Sequence, residues 1–134
     1  KLIRMCLIHD FGEAITGDIP SFLKTQANEA TEEDAVQTLL ATLPEPHRSE
    51  LSALFREMDA LETQEARVYK ALDKLEAVIQ HNESDISTWL PLEYELQQTY
   101  AVENASEFPY LRQLRALMLE DTLNKNHDAK EKQS

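Results

Sequence analysis

Apolar residues recur at helical spacing along almost the whole of this 134-residue chain, and no segment alternates apolar and polar side chains as a half-buried strand would. That regularity predicts an all-α fold, a bundle of five or six helices. The chain opens with Leu2, Ile3, Met5, Cys6, Leu7 and Ile8, a nearly continuous apolar segment that a central helix buried on most sides would require. After a polar loop around Ser21 to Asn28, Ala35, Val36, Leu39, Leu40 and Leu43 form a one-sided stripe that Pro44 and Pro46 end. Leu51, Leu54, Phe55, Met58 and Leu61 mark the next helix. Thr63 is placed to cap a long one in which Val68, Leu72, Leu75 and Ile79 keep helical spacing to about His81. Asn82 to Ser87 is a polar break. Two further helices are expected over 91–103 and 107–124, with a frayed polar tail over 125–134. The expected domain thus runs over 1–124.

Composition narrows the partners. Thirteen basic against twenty-five acidic residues give a formal charge of −12, which repels a polyanion and argues against nucleic acid. A single phosphate is still admissible where a metal ion or local cations set the field. The lone Cys6 excludes an internal disulfide and, within its apolar run, reads as a buried structural thiol in a reducing, cytoplasmic setting. No run of residues is long and apolar enough to suggest a membrane span, and no signal peptide is recognisable.

The chemistry concentrates in residues 9–20, HDFGEAITGDIP, where the two glycines of the chain, Gly12 and Gly17, stand among His9, Asp10, Glu13 and Asp18. His9 and Asp10 are adjacent at a helix end, their side chains about 100° apart, so one ion can take both only at a terminus or a bend. A continued turn would bring Glu13 to the same face, Gly12 would leave room for a ligand near the backbone, and Gly17 would break the helix and aim Asp18 from a loop. Imidazole nitrogen with carboxylate oxygens suits a divalent ion with open positions, while neighbouring carboxylates can handle protons. Each piece also has a plain structural reading: a hydrogen-bonded histidine at a helix end, and an ordinary Gly-Asp turn.

The string IHDFGEAITGDIP with its approach RMCLIHD resembles the signature of the HD-domain metal-dependent phosphohydrolases, in their 5′-deoxynucleotidase branch. A second segment, EARVYKALDKLEAVIQ at Glu65 to Gln80, resembles a later helix of that branch. The resemblance implies a divalent cation such as cobalt, manganese or magnesium, held by His9, Asp10 and Asp73. It also implies that Glu13 and Asp18 position the attacking water and move protons. From spacing alone, Asp73 reads as a salt-bridge partner for Lys70 or Lys74. The implied reaction is phosphate removal from deoxyribonucleoside 5′-monophosphates, with homodimerisation typical of the family.

The same resemblance implies an upstream histidine ligand, with an arginine and an aromatic residue that contact the nucleotide. No histidine here matches it; His47, His81 and His127 read as surface residues. The expectation is therefore a domain without its first one or two helices. Lys24 could offset phosphate charge or be a solvated loop lysine. Two other functions stay open: hydrolysis of a different phosphate ester, and a non-catalytic helical interaction domain.

Overall fold

The structure is a computed structural model and describes residues 1–19 and 23–133, with side-chain surroundings as far as 129. The described residues carry no strand. The helices are α1 (Leu2–Ile8), α2 (Glu13–Thr16), α3 (Gln26–Ala41), α4 (His47–Ala60), α5 (Gln64–Glu83), a 3₁₀ turn (Ile86–Thr88), α6 (Glu93–Thr99), α7 (Val102–Ser106) and α8 (Pro109–Gln133). Six of these have seven residues or more. Contacts divide the chain within α5 into two units, Lys1–Ala66 and Arg67–Ser134.

In the first unit, α1 and α3 both pack on α4, and α2 packs on α3. Thr25 starts α3 through a reciprocal cap: its hydroxyl accepts from the Asn28 amide while Asn28 Oδ1 accepts from the Thr25 amide. Ser21 and Phe22 of the expected loop, and Pro20 before it, lie outside the described residues. Pro44 and Pro46 follow α3 as expected, and His47 is the first residue of α4. That helix ends on Leu61 in the left-handed region, φ 52°. The predicted cap of α5 is present, with the Thr63 hydroxyl accepting from the Ala66 amide at 3.2 Å. Met5 and Ile8 are buried, but Ile3 and Leu7 are 76% and 75% exposed, so α1 is covered on one side rather than most. Cys6 is half-buried.

In the second unit, Ala71, Leu75 and Val78 of α5 meet Ala101, Ala105, Leu111 and Met118 in one apolar cluster. The helix expected over 91–103 is two helices, α6 and α7, because Tyr100 is extended and Ala101 is left-handed at φ 67°. From α8, Arg115 closes this break: its Nε donates to the Tyr100 carbonyl at 2.9 Å and its Nη2 to the Gln97 carbonyl at 2.7 Å. Over 125–133 the chain is no frayed tail, since α8 continues to Gln133. Lys125 Nζ donates to the Asn82 and Ser84 carbonyls at the end of α5, and Asn126 Nδ2 donates to the Tyr94 carbonyl. His47 and His127 are exposed, as expected, but His81 is not a simple surface residue. Its Nε2 lies 2.9 Å from Oε1 of the buried Glu93, its Nδ1 faces the Ala77 carbonyl, and Trp89 packs edge-on against its ring.

Candidate metal and proton-transfer site

Helix α1 does not simply stop at Ile8. The chain turns on through residues 9–12 with tight backbone bonds, Phe11 to Ile8 and Glu13 to Asp10, each 3.0 Å, before α2 begins. This tightened segment is the terminus that an adjacent His-Asp pair needs. The His9 Nδ1 lies 2.7 Å from the Cys6 carbonyl, which can only accept, so that nitrogen carries the hydrogen. The other ring nitrogen, Nε2, is 3.1 Å from Asp10 Oδ1. Two lone-pair atoms so close repel each other unless a cation, a proton or a metal ion, sits with them. The donor types fit a divalent ion, and the backbone carbonyl behind the ring is the support a ligating histidine normally has.

Glu13, at the start of α2, is half-buried. Burial, then the nearby charges of Asp10 and Asp18, with a smaller push from Glu32, hold its carboxyl above the usual carboxylate range against the pull of Lys24. The Lys24 ammonium lies 2.6 Å from Glu32 Oε2 and 3.6 Å from Glu13 Oε1. Burial works against its charge, but the hydrogen bond and charge of Glu32, with those of Glu13, win and raise its pKa. Lys24 is thus no solvated loop lysine. Asp18 is exposed and follows Gly17, whose φ of 77° turns the chain out of α2.

Gly12 does not leave the expected room for a ligand. A Cβ there would stand 2.7 Å from Glu32 Cγ, 2.8 Å from the Glu32 carbonyl oxygen and 3.1 Å from Val36 Cγ2. The glycine lets α3 press on the turn. Asp73, on α5 in the second unit, makes the ion pair that spacing alone suggested, its Oδ2 2.8 Å from Lys70 Nζ. Among the described residues no three His, Cys, Asp or Glu side chains gather closely enough to hold a metal ion; His9 with Asp10 is a ligand pair. Sequence reasoning passed over Glu32. It stands in an acidic run, EATEED, that looks like a solvated helix face.

The family model described as HD domain matches residues 1–114, a stretch that contains the His9–Asp10 pair. The chain belongs to the HD domain family. Among its relatives, the mouse (Mus musculus) 5′-deoxynucleotidase HDDC2 is 34% identical over 85 residues, covering 62% of this chain and 43% of that protein. The human (Homo sapiens) 5′-deoxynucleotidase HDDC2 is 33% identical over 85 residues, covering 62% and 42%. The Dictyostelium discoideum 5′-deoxynucleotidase HDDC2 is 33% identical over 82 residues, covering 60% and 43%. The match therefore spans about two-fifths of the length of these curated relatives. No solved structure matches the chain. Among the described residues no helix is long and apolar enough to cross a membrane.

Proposed function

We propose that this chain carries the metal-binding and proton-handling part of a phosphomonoesterase that releases phosphate from deoxyribonucleoside 5′-monophosphates. The observation that carries the reading is the His9–Asp10 pair, with one imidazole nitrogen occupied by the Cys6 carbonyl and the other aimed beside a carboxylate oxygen. In this reading His9 and Asp10 are ligands of a divalent cation such as cobalt, manganese or magnesium. Such an ion, when bound, polarises a phosphoryl oxygen and lowers the pKa of water.

The chain's own residues supply the rest. Glu13 keeps a proton more readily than an ordinary carboxyl, which suits it to protonate the leaving 5′ oxygen. Asp18, exposed on the strand of chain that leaves α2, would orient the attacking water. The names of the relatives favour a deoxynucleotide as substrate. The net charge of −12 disfavours a polynucleotide. A cytoplasmic homodimer completes the proposal, supported by the single cysteine and by the exposed Ile3 and Leu7, whose burial a partner copy would reward.

Phosphate release decides it. With cobalt or manganese, the protein should liberate phosphate from 2′-deoxyadenosine 5′-monophosphate, and His9→Ala should lower the rate about a hundredfold or more. Tight metal binding lost in His9→Ala, together with no phosphate from any deoxynucleotide but release from another ester, would move the chain to a different substrate. Failure with every phosphate ester would sink the hydrolase reading.

A further inference from the structure

The Lys24 ammonium is shared unequally. It sits on Glu32 at 2.6 Å and only approaches Glu13 at 3.6 Å, and all three side chains are between a fifth and a quarter exposed. Glu32 is the member with least freedom, because its Cγ and its carbonyl lie over Gly12, where the turn and α3 are separated by no more than a missing methyl group. A carboxylate so placed can hold a lysine still. The lysine, held by Glu32 at 2.6 Å, also pairs with Glu13 at the longer distance of 3.6 Å and so gives that carboxyl a positive charge fixed in place. The three half-buried charges thus form one arrangement that includes the proposed proton carrier, Glu13.

We propose that Glu32 and Lys24 are positioning residues for Glu13: Glu32, locked over Gly12, fixes Lys24, and Lys24 holds the Glu13 carboxyl where it meets the reacting phosphate ester. This rests on the phosphohydrolase reading above. Neither Glu32 nor Lys24 touches the reacting atoms in this scheme. Both act through Glu13, so their effects must vanish when Glu13 can no longer carry a proton.

The test uses the metal-loaded protein, phosphate release from 2′-deoxyadenosine 5′-monophosphate, and the variants Glu32→Gln, Lys24→Met and Lys24→Arg. Glu32→Gln and Lys24→Met should each lower kcat about ten- to a hundredfold with KM little changed. Lys24→Arg should recover most of the loss, since it keeps the cation. In a Glu13→Gln background, Glu32→Gln should cost nothing further, a non-additivity that a merely structural role would not produce. In the metal-free protein, the Lys24 ammonium should give a ¹⁵N resonance protected from exchange, and Glu32→Gln should abolish it. A wild type that is active while Glu32→Gln keeps its kcat overturns the proposal alone. So does a Lys24→Met effect confined to KM, which would make the lysine a phosphate ligand, or an ammonium resonance that survives Glu32→Gln. A wild type that releases phosphate from no ester overturns the hydrolase reading and this proposal together.

Discussion

Gly12 has ordinary helical angles, φ −60° and ψ −36°, and an alanine at such a position usually stabilises a chain by about 0.5–1 kcal/mol. Here the sign reverses. Two of the three atoms a methyl group would meet belong to Glu32, and one of those is backbone, so relief requires α3 itself to shift. Gly12→Ala should therefore lower stability by about 1–3 kcal/mol, the usual cost of overpacking. The midpoint of urea unfolding measures this, and a more stable variant would disprove the contact. The sequence showed that glycines punctuate this window but not why. A missing side chain can serve a ligand, a positive φ or a neighbouring helix, and these cannot be told apart along a single chain. Gly17 does meet the expectation of a break, since its φ of 77° is one that side chains resist. Crowding along the chain marks His9, Asp10, Glu13 and Asp18 as candidates, as far as residue types allow. What escaped was Glu32, whose meaning comes only from the element that lies across the turn.

At the scale of elements, the long helices with apolar stripes were readable because burial and hydrophobicity coincide there, as in Leu54, Phe55 and Met58 of α4. α8 shows where that coincidence fails. Its buried residues, Leu111, Arg115, Met118, Thr122, Asn126 and Ala129, follow helical spacing without interruption, yet three of them are polar. Each polar member has a specific partner: Arg115 the carbonyls ending α6, Thr122 the Asn82 side chain at 2.9 Å, Asn126 the Tyr94 carbonyl. A pattern sought in apolar residues stops at the last of them, and so it ended the helix too soon. The break between α6 and α7 was equally hidden, because neither proline nor glycine marks it and Ala101 takes the left-handed conformation itself. Arg115, only 4% exposed, supplies what that break lacks. Arg115→Met keeps the aliphatic stem but leaves the buried Gln97 carbonyl and the half-buried Tyr100 carbonyl without these donors. It should destabilise the protein by about 2–3 kcal/mol, with Arg115→Lys in between. Thermal unfolding of the three proteins gives the order, and a methionine variant as stable as the wild type would show that the desolvation of the guanidinium outweighs its hydrogen bonds.

For the molecule as a whole, the all-helical class followed from periodicity, whereas the partition into two units, falling inside the continuous helix α5, has no trace in composition. His9, Asp10, Glu13 and Asp18 belong to one unit and Asp73 to the other. In the second unit, Lys125 caps the end of the helix that bears Asp73, donating to two carbonyls that close it. A protein ending at Asn124 should lose about 2–3 kcal/mol of stability, from those bonds, the Asn126 bond and the buried Ala129. An unchanged urea midpoint would show the last residues to be bystanders. The practical lesson is for whoever trims this protein for crystallisation or fuses a tag to its end: a cut placed where the greasy residues run out would pass through a clasp. The shortened protein would then report on an α5 whose far end had been let go.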